Sequence, residues 1–320
     1  MSMTSPDAPT RDFDVRLATD ADQAAVLGAL SDGYARPFTQ EWFRWKHQSS
    51  PWGASKCFVA DDAEGLLGVV FEMPWRYTEG GVPAIGWRMV DGATTVRSQR
   101  RGVFRAVVAA MLSDCAASEE HGVVLATATP EARLAHIKNG AVALEPISSY
   151  YRPAVWRPAV WRPAVWRPAR VVTGLDVLDS WQPATQRGLA SVWDRSSLEW
   201  RLDPRSGIDY QVSRLASGSG ANGAIHRTVG GAARTIVISA LWGEPSDVRT
   251  LVGALAWQSK AVAVLAPGGP GTRLAKPRLG AARGQSLMCV WDQRDQRPAA
   301  DLADTRDGWA LDGLDLEGVI

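Results

Sequence analysis

The chain has 320 residues, 46% of them hydrophobic and 22% charged, a length that predicts two domains, each large enough to bury a core without a disulfide or metal staple. Lys and Arg total 35 against 34 Asp and Glu, and the resulting net charge of +1 argues against broad electrostatic binding to nucleic acid or an anionic membrane. Cys57, Cys115 and Cys289 are far apart with no C-x-x-C spacing, so no disulfide framework and no metal site are expected, and a reducing cytoplasm fits best. Residues 1–12 are polar and no apolar run approaches about 18 residues, so neither a secretory signal nor a membrane helix is expected.

In chain order the pattern is mixed α/β. Residues 13–17 read as a short strand and 20–33 as a helix with Asp20 as a possible N-cap. Cys57 to Ala60 is a strand. Leu66 to Tyr77 and Ala84 to Thr95 are strands joined at Glu79-Gly80-Gly81, a hairpin signal. Gly102 to Glu120 places Val103, Ala106, Val107, Ala110 and Met111 on one helical face. Val123 to Thr129 is a buried strand, and Glu131 to Asn139 a helix closed by Gly140. From Arg152 to Pro168 the pentapeptide RPAVW occurs three times, and its regular prolines disfavour helix, which makes 151–170 an extended connector. A role as a ligand for a proline-recognition groove is the alternative.

After the connector the order partly recurs. A helical stretch covers about 184–203, strands cover 208–216, 223–229 and 234–242, a helix runs from Pro245 to about Lys260, and strands cover Ala261 to Ala266 and Ser286 to Trp291. Trp42-Phe43-Arg44-Trp45-Lys46 is echoed by Leu198-Glu199-Trp200-Arg201, which suggests internal duplication. Units of 1–150 and 171–320 follow. Trp42, Trp45, Trp52, Trp75 and Trp87 read mainly as core and as filler between the halves, with a substrate-pocket wall as the alternative, and Tyr150 and Tyr151 read in the same way. The acidic tail from Asp301 to Glu317 is expected to fray, a short docking segment being the alternative.

The stretch with chemical content is Val90 to Val107, VDGATTVRSQRRGVFRAV. A strand enters a tight turn and then a helix, so unpaired amides and the positive end of the helix dipole converge where a phosphate could bind. Gly102 admits a ligand close to the backbone, and Arg100, Arg101 and Arg105 add charge. Gln99-x-x-Gly102-x-Phe104 resembles motif A of the GNAT superfamily of N-acetyltransferases, Gln/Arg-x-x-Gly-x-Gly/Ala after a strand, with Phe104 in place of the last small residue and Val96 where Pro is frequent. The run is also similar to that of bacterial tandem-GNAT acetyltransferases, including the enhanced-intracellular-survival family. The resemblance implies a largely antiparallel central sheet flanked by helices and two GNAT-like units in tandem, the second degenerate, because Trp242-Gly243-Glu244-Pro245 is acidic where the turn would lie.

The implied reaction is attack of a small-molecule primary amine on the thioester of acetyl-CoA, the acyl donor. Position in the motif assigns the pantetheine and thioester to Gly92, Ala93, Thr94, Thr95 and Val96. It assigns the pyrophosphate to the turn of Gln99, Arg100, Arg101, Gly102, Val103 and Phe104. Asp91 and Glu72 are the candidate bases. His136, four residues before Gly140 where relatives commonly carry a Tyr, is the candidate acid. Two further readings stand beside this one: a non-catalytic acyl-CoA or small-molecule binding protein, and a Fem-like aminoacyl transferase, disfavoured by the phosphate turn and the absent positive charge. The sequence names neither the amine nor an oligomeric state.

Overall fold

The computed structural model describes residues 12–118, 122–144, 147–154, 169–181, 189–217, 221–267, 281–293 and 314. The first half opens with β1 (Asp14–Leu17), and a 3-10 turn at Asp20–Asp22 leads into α1 (Gln23–Tyr34). The cap of that turn is Thr19 rather than Asp20: the Thr19 amide donates to Asp22 Oδ2 at 2.7 Å in a capping box. A short α2 (Gln40–Phe43) runs straight into a single π-helical turn, Arg44–Gln48, which the sequence pattern did not reveal. Strands β2 (Lys56–Asp62), β3 (Gly65–Glu79) and β4 (Val82–Thr94) follow. The β3–β4 turn has both Gly80 and Gly81 at positive φ, as a two-residue hairpin requires. Then come α3 (Val103–Ala117), β5 (Val123–Ala128), α4 (Pro130–Lys138), β6 (Val142–Ala143) and β7 (Ile147–Pro153).

The second half repeats the order in part. It contains β8 (Val171–Thr173), a 3-10 turn at Leu175–Ser180, β9 (Leu189–Ser191), α5 (Arg195–Arg201), β10 (Gln211–Leu215), β11 (Gly223–Val229), β12 (Thr235–Trp242), α6 (Pro245–Gln258), β13 (Ala263–Pro267) and β14 (Ala281–Asp292). Residues 155–168, which hold most of the pentapeptide repeat, and 182–188 lie outside the described residues. The expected helix over 184–203 is shorter than the pattern suggested, because residues 189–191 form a strand. Beyond Glu72 the edge of β3 has no β2 partner, and β9 pairs there, Tyr77 opposite Ser191. The tail also departs from expectation: its described residue, Leu314, is buried in the core.

The strands run β1-β2-β3-β4-β5-β14-β7-β13-β12-β11-β10-β8, with β6 beside β14 and β9 beside β3. The β4–β5 and β12–β13 pairs are parallel, and every other pair is antiparallel. Each half lends its last strand to the other. β7 pairs with β13 (Val264 opposite Arg152), β14 pairs with β5 (Cys289 opposite Ala126), and the two lent strands pair with each other. In the first half, α3 packs its Val103, Ala106, Val107 and Met111 stripe on one face of the sheet. The other face, with α1 and the π-turn, continues into a core shared with the second half. α6 covers the corresponding face of the second sheet. Among the described residues no helix is long and apolar enough to cross a membrane.

The echoed tryptophans meet at the centre of the shared core. Trp45 and Trp200 stack at 5.2 Å, and each indole N–H donates to the other's backbone carbonyl at 2.9 Å. Around them pack Trp52, Trp75 and Trp193, and the Trp75 indole N–H donates to Ser191 Oγ at 2.8 Å. A buried indole needs such an acceptor, and for Trp45, Trp75 and Trp200 the other half supplies it. Trp200→Ala is expected to cost about 3–5 kcal/mol in urea unfolding. The Trp45→Ala/Trp200→Ala pair should cost clearly less than the sum of the two singles, because either single variant already removes the ring stack that the two share. Strict additivity would refute the coupling.

Candidate functional site

β4 and β5 run together only from Gly86, opposite Val123, to Met89, opposite Ala126. From Val90 onward β4 leaves its parallel neighbour, and the backbone of Val90 to Thr94 faces the opening gap. The cause is a bulge: Phe71 of β3 pairs with Val90 and Val69 with Ala93, so Val70 alone faces Asp91 and Gly92. Asp91 sits there in the left-handed region, at φ 49°. Gly92 then passes under Phe104, whose ring would lie 2.6 Å from a Cβ at that position. The large residue at the last position of the turn motif is therefore accommodated by a glycine in the facing strand.

Beyond the gap the chain makes the phosphate-type turn expected from the sequence pattern. Thr95 N–H and Ser98 Oγ both donate to Leu67 O, at 2.9 and 2.5 Å, which ties the turn to β3. A 3-10 turn at Val96–Ser98 follows, and Arg100 and Gly102 adopt positive φ of 66° and 80°. The first backbone bond of α3 runs from Ala106 N–H to Gly102 O, so the amides of Val103, Phe104 and Arg105 have no intrahelical acceptor. Gln99, Arg100 and Arg105 are exposed. Arg97 and Arg101 are engaged by Asp62, Glu64 and Asp12, whereas among the described residues Arg100 and Arg105 have no carboxylate partner. The Val96 amide already donates to Asp32 Oδ2 at 2.7 Å, so Val96 offers a ligand no amide. Thr94 is half-buried beside the gap, while Thr95 Oγ1 bonds Ser98 Oγ at 3.0 Å. The end of α1 clamps this region: besides Asp32, Tyr34 Oη donates to Gly92 O at 3.2 Å, and Gly33 lies close enough to Ala93 that a Cβ would sit 2.8 Å away.

The three acid–base candidates are not brought together. Glu72 faces α3, where Cys115 Sγ donates to its carboxylate at 3.2 Å and Lys56 lies 3.7 Å away. Burial pushes the Glu72 carboxyl above its ordinary range. Cys115 is twelve residues along α3 from Val103, which puts Glu72 roughly 18 Å from the phosphate turn. Asp91 is at the gap, but its side chain is buried. Its Oδ2 lies 2.5 Å from Lys46 Nζ and 3.2 Å from His47 Nε2. Burial alone would raise its pKa; Lys46 and His47 outweigh that and hold the carboxyl below the ordinary range. A carboxylate so paired is a poor proton acceptor. His136 does reach the site: its ring packs edge-on against Phe104 at 5.4 Å and Trp291 at 5.3 Å. Burial lowers its pKa to about 4, so it is neutral near pH 7, and its buried Nδ1 has no partner among the described residues. Lys46, His47, Asp32 and Tyr34 were not singled out as site residues from the sequence. Lys46 stood within the Trp42–Lys46 echo, and no pattern marked the others.

The corresponding place in the second half is closed. β12 passes into α6 through Gly243 and Glu244 alone, and the Trp242 ring lies over Gly223, where a Cβ would be 2.0 Å from it. β12 has its own bulge opposite Ile225 and His226, but no arginine-rich turn follows. Here Thr173 Oγ1 bonds Ser213 Oγ at 2.8 Å, and Ser213 Oγ bonds His226 Nε2 at 2.9 Å.

A scan against protein-family models finds no match, and a search of curated proteins finds none. Solved structures do match. A GCN5-related N-acetyltransferase from Anabaena variabilis aligns over 88% of this chain and 73% of its own, with a TM-score of 0.67 and 9% identity. A conserved Enterococcus faecalis protein described as a probable N-acyltransferase aligns over 87% and 71%, with a TM-score of 0.65 and 13% identity. Eis1 from Mycobacterium abscessus aligns over 88% and 73%, with a TM-score of 0.59 and 16% identity. The chain has the GNAT fold.

The two buried imidazoles give stability a defined pH dependence. His136 and His226 both have pKa values lowered to about 4 by burial, against 6.5 ordinarily. Between those values the unfolded chain binds protons that the folded chain does not, so stability is full above pH 6.5 and falls toward pH 4, by on the order of 3 kcal/mol for each group. His136→Leu should flatten that slope in urea titrations, and an unchanged slope would contradict the burial.

Proposed function

We propose that the chain is an acetyl-CoA-dependent N-acetyltransferase made of two GNAT-like units in tandem, and that the first unit carries the acyl-CoA site. The observation that carries the reading is the gap between β4 and β5 leading directly into the glycine-capped, arginine-flanked turn at α3. In this reading the amides of Val103, Phe104 and Arg105 and the side chains of Arg100 and Arg105 hold the pyrophosphate. Gly92 to Thr94 present main-chain groups to the pantetheine and the thioester carbonyl, and amides aimed at the developing oxyanion supply electrostatic stabilisation. Being neutral, His136 offers a hydrogen bond to the departing sulfur rather than a full positive charge. The acceptor is a primary amine of a small molecule. Asp91 and Glu72 take no part as bases, for the reasons of pairing and distance given above.

A second reading, a protein that binds acyl-CoA without transferring the acyl group, is favoured by that same engagement of both carboxylates. Calorimetric titration with acetyl-CoA, with desulfo-CoA and ATP as controls, tests the shared part of the two readings, and release of free thiol with a panel of amines separates them. One-to-one micromolar binding is expected. Gly102→Glu should weaken it at least 100-fold while the chain stays folded, because the position has open space but would carry a strained backbone and a negative charge at the turn. No binding at millimolar acetyl-CoA would remove both readings.

A further inference from the structure

We infer that Lys46 and His47 are positioning residues: by gripping the Asp91 carboxylate from the π-turn they hold the β4 bulge that opens the gap for the acyl arm. The inference rests on the acyl-CoA reading of that gap. A non-glycine residue in the left-handed region costs about 1–2 kcal/mol and persists where its surroundings fix it. At Asp91 the fixing groups are visible. Two successive side chains, Lys46 and His47, approach one carboxylate oxygen. The His47 ring is stacked on Phe71 at 3.8 Å, and Phe71 is the β3 partner of Val90, so the grip is applied at the residue where the register breaks. Lys46 lies over the Trp42 ring at 5.0 Å. The turn that carries both residues is irregular, and its Trp45 is bonded across to Trp200. The grip is therefore braced from the second half.

Burial makes the arrangement all-or-none. Lys46 is fully buried and Asp91 nearly so. Removing one partner of a buried charge pair leaves a charge that cannot be solvated in place, and the strand must then move to water or lose its left-handed residue. Either change alters Gly92 to Thr94 first, whereas the turn leading into α3 keeps its separate ties to Leu67 of β3 through Thr95 and Ser98.

The test separates the two parts of the cofactor. Acetyl-CoA spans the gap and the turn, while adenosine 3′,5′-bisphosphate carries only the nucleotide end. Lys46→Met should weaken acetyl-CoA at least tenfold in calorimetric titration and leave the bisphosphate within twofold of wild type. Lys46→Met/Asp91→Gly removes both charges and restores a residue that adopts positive φ without strain; it should recover acetyl-CoA affinity to within about threefold. A merely structural pair would lower thermal stability and weaken both ligands alike, without such rescue. Should Lys46→Met fail to fold, His47→Phe must show the same selective loss. Unchanged acetyl-CoA affinity in the folded variants, or equal loss of both ligands, overturns the inference. Wild type that binds neither ligand overturns the acyl-CoA reading first and this inference with it.

Discussion

The stacked pair of Trp45 and Trp200, each indole bonded to the other's carbonyl, is the constraint on which the rest of the molecule leans. One bond would orient one ring. Two reciprocal bonds fix the relative rotation of the two segments, because neither indole can turn without stranding a buried donor. Trp45 belongs to the π-turn that carries Lys46 and His47, and Trp200 lies in α5 beside Arg201. The centre of the shared core and the opening in the first sheet thus sit on the same short stretch of chain.

Two unlike devices build the site. The turn at Arg100 to Gly102 is local: glycine, a helix start and hydrogen bonds to one neighbouring strand suffice to make it. The gap before it is not local. It needs a bulge in β4, a charge pair from the π-turn, and the clamp of Asp32 and Tyr34 from the end of α1. The second half retains the bulge and the parallel strand pair but lacks the turn, and Trp242 occupies the space over Gly223. The framework therefore separates from the turn: the bulge and the parallel pair recur, while the arginine-flanked turn occurs in the first half alone among the described residues.

What the sequence made legible follows the same division. Gly80-Gly81, Gly102 and Pro245 carry their consequences in their own covalent structure, and the hairpin and the starts of α3 and α6 fall where those residues put them. The echo around Trp45 and Trp200 pointed to paired segments, though not to the bonds between them. Asp91 shows why the acid–base reading fared differently. By simple alternation it shares a face with Met89, the face on which Glu72 meets α3; the bulge adds one residue and turns Asp91 to the opposite side, toward Lys46. Nothing in VDGATT announces that extra residue. β9, and the pairing of β14 with β5, were hidden for a related reason, because the partners lie far away in the chain and a short apolar run does not reveal which edge it will cover.

The lent strands have a consequence for how the chain is made. β5 takes its neighbour from β14, with Val123 opposite Asp292. On the ribosome the stretch between them takes on the order of ten seconds or more to synthesise. For that interval β5 has a bare edge, the kind of surface on which chains pair wrongly with one another. The first half cannot close its own sheet when it emerges; it must wait for the end of the second, while β7 waits for β13. Maturation of the opening between β4 and β5 is in this sense a late event in the life of the chain, timed by residues far from it in sequence.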